Sequence, residues 1–105
     1  MQSAVQSKQE VLNILRTSKE TLRALGIARI GVFGSFSRDS VHADSDVDLL
    51  VEFAPGQTTF MNWSGVFDFA EEAFGRPVDV VTPDSLSKYS APRILADTVY
   101  VSVVD

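Results

Sequence analysis

The sequence predicts a single α/β domain of the α+β kind, a small β-sheet flanked by helices, over residues 1–105. Two observations lead to this class. Segments with helical and with strand-like hydrophobic spacing follow one another along the chain. A length of 105 residues with 45% hydrophobic residues suits one modest core. The chain has no cysteine, so disulfides and thiolate metal ligands are excluded.

The first predicted helix lies within residues 5–25. Its apolar side chains recur at intervals of three, four and seven, which places them on one stripe of a helix. Ser7 and Glu10 have the spacing of a capping box at its start. Gly26 stands where a left-handed residue commonly ends a helix.

A second long helix is predicted from Thr59 to Gly75, and a short third one at residues 90–97. Pro92 falls in the first turn of the short helix, where proline is tolerated. We expect the large aromatic side chains of the second helix in the core, and these are Phe60, Trp63, Phe67 and Phe74.

The strand-like segments are rich in β-branched and aromatic residues. Three are expected to form one helix-covered sheet, and they are residues 28–33, 46–53 and 77–82. A fourth β-prone segment, "TVYVSVV" at residues 98–104, has no partner that the sequence identifies. No repeat or linker interrupts this order, which supports one domain.

The charge balance and hydropathy narrow the function. The net charge is −5 and the nine basic residues are scattered, which argues against long DNA or RNA as a partner. The N-terminal residues lack a basic region followed by an apolar block, and no apolar stretch is long enough to span a membrane. We therefore expect a cytoplasmic protein.

Carboxylates cluster at one end of the predicted sheet. Asp46 and Asp48 lie two apart on a strand, so their side chains point the same way, with Cα atoms about 6.5 to 7 Å apart. Such a pair suits Mg²⁺, which takes hard oxygen ligands and completes its shell with water and substrate phosphates. Asp79 lies in an apolar run where a buried charge is costly, and it is the expected third ligand of a two-ion site.

The turn after the first strand has the features of a phosphate-binding loop. Gly34 lets backbone amides approach an anion closely, and Ser35 adds donors. A helix beginning near Phe36 would direct its N-terminus at the same anion. Arg38 is expected to act as a charged clamp, and Ser37 as a further donor.

Taken together, Gly-Ser, ten intervening residues and Asp-x-Asp resemble the signature of the DNA polymerase beta-like nucleotidyltransferase superfamily. The chain is most similar to the minimal nucleotidyltransferase branch, over residues 30–53 and around "RPVDVVTP". The resemblance implies a mixed sheet flanked by helices. It implies that Gly34 and Ser35 hold a nucleoside triphosphate, ATP by preference.

For the carboxylates, the resemblance implies that Asp46 and Asp48 ligate Mg²⁺ and that Asp79 helps to activate the acceptor hydroxyl. Similar proteins are antitoxins that pair with a HEPN-type toxin ribonuclease and transfer AMP from ATP to one of its tyrosines. One departure stands out. Many relatives follow the arginine with glycine and a small residue, whereas this chain has Asp39 and Ser40.

Two other functions stay open at this point. The protein could be an antitoxin that masks its partner with an idle site, an interpretation favoured by Asp39. It could also modify a small molecule, as aminoglycoside nucleotidyltransferases do, with a dimer completing the pocket. If the protein is an enzyme, a catalytic module of this size is expected to find its acceptor-binding surface in a partner or in its own oligomer. Tyr89 and Tyr100 carry no sequence signal for a role.

Overall fold

The helices and strands follow one another in the predicted order. The structure, a computed structural model, describes residues 4–103. Its helices are α1 (Lys8–Thr17), α2 (Lys19–Ala24), α3 (Phe60–Phe74) and α4 (Ala91–Asp97). Its strands are β1 (Ile27–Phe33), β2 (Val47–Phe53), β3 (Val78–Val81) and β4 (Val99–Ser102), with a 3-10 turn at Pro83–Ser85. Each predicted helix and strand is present, with one helix divided in two.

The four strands form one mixed sheet in the order β3-β2-β1-β4. β1 pairs antiparallel with β2 and with β4, whereas β2 and β3 are parallel. A parallel pair needs a crossover connection, and α3 provides it. β4 pairs with β1, so this part of the 98–104 tail completes the sheet, and Val104 lies outside the described residues.

The N-terminal helical region corrects one prediction. We expected a single helix within residues 5–25, but α1 ends at Thr17 and α2 begins at Lys19. The backbone N–H of Ser18 donates to the Leu15 carbonyl, three residues back, and the Thr17 hydroxyl donates to the Asn13 carbonyl. These contacts tighten the last turn of α1 and end it. Ser7 caps the start of the region by accepting from the Glu10 N–H, which is one half of the predicted capping box, and Gly26 ends it at a φ of 80°, as predicted.

Helix α3 corrects a second prediction. Phe60 was expected in the core, yet Phe60 is 82% exposed and its neighbour Met61 is 79% exposed. The buried residues of α3 recur every four positions toward its C-terminal end, so the buried stripe does not include the first turn. These buried residues are Val66, Ala70 and Phe74.

The core lies between the sheet and helices α1, α2 and α3. Its side chains are mainly aliphatic, and both the helices and the sheet contribute them. They include Val11, Leu12, Leu15, Leu22, Ile30, Val32, Leu49, Val51, Val66 and Phe74. Within residues 4–103, no helix is both long and apolar enough to cross a membrane. The polar residues singled out by the sequence lie at the end of the sheet where β1 finishes and β2 and β3 begin.

Candidate active site

The turn after β1 lies directly against the carboxylate of Asp48. Gly34 has a φ of 73°, a backbone conformation that residues with a side chain rarely adopt. A Cβ atom at Gly34 would come within 2.2 Å of Asp48 Oδ2, far inside contact distance. Glycine is therefore required here for two reasons, the backbone conformation and the close approach to Asp48.

Residues 34–39 form a succession of turns, and no helix begins near Phe36. The Arg38 N–H donates to the Gly34 carbonyl over 3.1 Å, and the Ser40 N–H donates to the Ser35 carbonyl over 2.9 Å. The Phe36 ring is fully buried. The conditional contribution of a helix N-terminus near Phe36 therefore does not apply, and the loop offers turn backbone and side chains instead.

The three predicted carboxylates come together where two neighbouring strands begin. Asp46 comes directly before β2, and Asp48 is the second residue of β2. Asp48 and Asp79 are register partners across the parallel pair, in which adjacent strands lie about 4.8 Å apart. Residues in register on parallel strands point to the same face, so Asp48 has one carboxylate beside it and another two residues before it.

The prediction that Asp79 would be a buried charge was wrong. Its position in an apolar run predicted a buried charge, but Asp79 is exposed. The run belongs to β3, an edge strand, so one side of it faces solvent. Asp79 is therefore accessible from outside the protein, next to the half-buried Asp48.

The electrostatics of Asp48 show that the carboxylates interact. The pKa of Asp48 is raised from its ordinary 3.8 to about 6, first by burial and then by the charges of Asp79 and Asp46, in that order. The Arg38 guanidinium acts in the opposite direction and lowers the pKa. The site thus concentrates negative charge around one partly desolvated carboxylate.

The carboxylates around Asp48 suit a divalent cation that is also bound by water and substrate. Within residues 4–103, no three His, Cys, Asp or Glu side chains converge to hold a metal ion by themselves. Mg²⁺ in phosphate-transferring sites commonly takes one or two carboxylates and fills its remaining places with water and substrate phosphates. The carboxylates of Asp46 and Asp48 fit that mode of binding, because both are hard oxygen donors and a bound cation would relieve the repulsion between them.

The remaining loop residues differ in their partners. The Ser35 hydroxyl has no hydrogen bond to another part of the described chain. The Ser37 hydroxyl donates to the Asp97 carbonyl, and Arg38 forms an ion pair with the Asp97 carboxylate. Helix α4 therefore holds two of the groups that the sequence predicted as nucleotide ligands. Their roles toward a nucleotide stay predictions.

A residue that the sequence reasoning missed is Arg76. It is 7% exposed and its guanidinium donates to four backbone carbonyls, those of Val5, His42, Ala43 and Ser45. The last three belong to the loop that leads into Asp46. Arg76 also immediately precedes the segment "PVD", and the Pro77 carbonyl accepts from the Val47 N–H. Arg76 thus fixes the start of β2 relative to the start of β3.

The comparisons with known proteins agree with this geometry. A family model described as a nucleotidyltransferase domain matches residues 14–101. The chain is 37% identical over 101 residues to the protein adenylyltransferase MntA of Thermococcus cleftensis, covering 93% of this chain and 99% of that protein.

Solved structures show the same fold. One, described as a minimal nucleotidyltransferase, has a TM-score of 0.74 at 28% identity and covers 92% of this chain and 98% of its own. Another, described as a toxin-antitoxin with AMP-PNP, has a TM-score of 0.63 at 20% identity, over 89% of this chain and 70% of its own. The predicted mixed sheet and the predicted resemblance are both confirmed. The chain belongs to the nucleotidyltransferase domain family.

Proposed function

We propose that this protein is a Mg²⁺-dependent nucleotidyltransferase that transfers AMP from ATP to a hydroxyl group of a partner protein. The observation that carries the proposal is the register pairing of Asp48 with Asp79 beside the Gly34 turn. A relative at 37% identity is named a protein adenylyltransferase, which supports AMP as the group transferred and a protein as its acceptor.

The loop after β1 would bind the triphosphate. Gly34 allows the backbone to lie close to an anion, and the Ser35 hydroxyl is available as a donor. Arg38 is near enough to Asp48 to lower its pKa, so the same guanidinium would offset charge that develops on the phosphates.

The carboxylates would serve the transfer itself. Asp46 and Asp48 would hold Mg²⁺, with Asp79 as a further ligand, and the bound cation would supply charge neutralisation at the phosphates. Asp79 is exposed on an edge strand, where an acceptor hydroxyl from another protein can reach it. In the transfer, the acceptor oxygen bonds to the α-phosphorus, pyrophosphate leaves, and Asp79 takes the proton.

The acceptor protein would be a toxin, and the protein would act as its antitoxin. Support comes from solved toxin-antitoxin structures with the same fold, at 20% and 21% identity. A HEPN-type toxin with a tyrosine acceptor is the specific form of the proposal. A net charge of −5 also favours a protein over a nucleic acid as the acceptor.

The test uses ATP labelled at the α-phosphate, Mg²⁺, and the product of the neighbouring gene. The wild-type chain is compared with an Asp46→Asn/Asp48→Asn double variant. A matched control replaces Asp68, an exposed carboxylate on α3, by asparagine. Transfer of label to the partner by the wild type and by the control, and not by the double variant, is the expected result.

A second function has one observation in its favour. Arg38 and Ser37 are engaged by Asp97, and a carboxylate, Asp39, follows them in the loop. An antitoxin that only masks its partner would tolerate these features. In that case no label reaches any protein, and the wild type and the double variant neutralise the partner equally well. Label on a small molecule in the absence of a partner would instead support a small-molecule nucleotidyltransferase.

A further inference from the structure

A cavity of about 440 Å³ opens beside Gly34, at the end of β1. Its size lies within the range of small-molecule and cofactor sites. One wall comes from the Gly34 turn, and the other from α4 and the loop before it. The lining residues used below are Gly34, Arg38, Tyr89, Arg93 and Asp97.

Among the residues that line the cavity, positive charges outnumber negative ones, in a protein whose net charge is −5. Two arginines and one carboxylate line it, and Arg38 is paired with that carboxylate, Asp97. Arg93 has no ion pair among residues 4–103, and it is exposed. With Arg38 and Asp97 cancelling, the Arg93 guanidinium remains as an uncompensated charge in the wall. Anionic groups are therefore the favoured occupants.

The geometry of α4 explains why Arg93 stays unpaired. Arg93 and Asp97 lie four residues apart on this helix, the spacing at which side chains share a face and pair with each other. Asp97 is taken by Arg38 instead, and its backbone carbonyl accepts from Ser37. The Gly34 turn and α4 are thus joined by two contacts, and Arg93 is left over the same cavity.

The loop before α4 places an aromatic ring, that of Tyr89, in the lining of the same cavity. Tyr89 is 85% exposed, which is unusual for a large aromatic side chain. Its turn is ordered by the Ser90 N–H, which donates to the Ser87 hydroxyl over 3.1 Å. Lys88 Nζ lies 5.3 Å from the ring centroid. An exposed ring on an ordered turn beside a cationic cavity suits stacking on a base.

We propose that this cavity binds the nucleoside triphosphate, with Arg93 contacting its phosphates and Tyr89 stacking on its base. The assignment rests on the proposed nucleotidyl transfer and adds two residues, both in the C-terminal third of the chain, to the Gly34 turn. It accounts for an unpaired arginine and an exposed tyrosine that the carboxylate site does not use.

The test separates the phosphate contact from the base contact by calorimetric titration in Mg²⁺. One ligand is AMP-PNP, and the other is inorganic tripolyphosphate, which has no base. We expect Arg93→Gln to weaken both ligands by about tenfold, as the loss of a charge-assisted contact predicts. We expect Tyr89→Ser to weaken AMP-PNP about fivefold to tenfold and to leave tripolyphosphate unchanged. Tyr89→Phe, which keeps the ring, should bind like the wild type.

Arg16→Gln is the matched control, since Arg16 is an exposed helical arginine outside the cavity. If the wild type binds AMP-PNP and both cavity variants bind it equally well, the cavity assignment is overturned and the proposed function survives. If the wild type binds neither ligand in Mg²⁺, the cavity assignment and the proposed function fail together. Equal loss of both ligands in Tyr89→Ser would refute the base contact.

Discussion

The left-handed backbone at Asp39 leads to a testable prediction about the stability of the loop after β1. Among residues 4–103, Asp39 is the one non-glycine residue with a positive φ, at 56°. It follows Arg38 at the end of the turns that begin at Gly34. Its carboxylate is 64% exposed and lies 4.0 Å from Lys8 Nζ, so the ion pair between them is long and solvent-exposed. The backbone at position 39 is thus left-handed, a conformation that glycine adopts at the least cost.

The magnitude follows from the conformation. A left-handed backbone costs an ordinary L-residue about 1 to 2 kcal/mol, and Asp pays at the lower end because its side chain can bond locally. Replacement by glycine removes this cost, but glycine's greater freedom in the unfolded chain offsets about half of it. The exposed ion pair contributes a few tenths at most. We expect Asp39→Gly to raise the free energy of unfolding by about 0.5 kcal/mol, and Asp39→Ala to lower it by a similar amount.

The decisive quantity is the difference between the two variants, measured by denaturant unfolding at one pH. Glycine should exceed alanine by about 1 kcal/mol at position 39, or about 4 to 8 °C in Tm. The same pair of substitutions at Asp68, in the middle of α3, should give the opposite sign, since alanine exceeds glycine by about 1 kcal/mol within a helix. Alanine matching or exceeding glycine at position 39 would refute the argument.

Three further predictions follow from the site and the core. Asp48 holds its proton more tightly in the folded protein, with a pKa of about 6 against 3.8, so stability present below pH 4 is lost as the pH rises through 6. Asp48→Asn should therefore be more stable than the wild type at pH 7.5 without metal, by about 1 to 2 kcal/mol after allowance for solvent screening, and equal to it near pH 3.5; a pH-independent difference would contradict the raised pKa of Asp48, which burial causes first and the charges of Asp79 and Asp46 second. Arg76→Met should lower the free energy of unfolding by about 2 to 3 kcal/mol because four carbonyls lose their donor. Arg76→Lys should have a stability between those of the wild type and Arg76→Met. A loss below about 0.5 kcal/mol in Arg76→Met would argue against the role of Arg76 in fixing β2 relative to β3. Phe60→Ser should change the stability by less than about 0.5 kcal/mol, whereas Phe74→Ala should cost about 3 to 5 kcal/mol in the same denaturant assay; comparable losses would mean that Phe60 is buried in solution.

Local interactions made much of the fold and the site predictable from the sequence. Ser7, Thr59 and Gly75 cap their helices as their residue types predict, because capping depends on a few neighbouring backbone groups. The two-residue spacing of Asp46 and Asp48 predicted neighbouring carboxylates, because the pleat of a strand repeats every two residues, and the charge of Asp46 does act on Asp48. The glycine of the turn could likewise be assigned, because few other residues adopt its backbone conformation.

Contacts between residues distant in the chain decided the rest. The register that sets Asp48 beside Asp79 depends on how α3 crosses over between β2 and β3, and no local pattern specifies it. The pairing of Arg38 with Asp97 joins residues 59 positions apart, so the loop arginine predicted to be a phosphate clamp meets a carboxylate that its own neighbourhood does not contain. Phe36 and Phe60 have the same side chain, yet Phe36 is buried and Phe60 is exposed. Burial depends on which surfaces the packed helices and strands bring together.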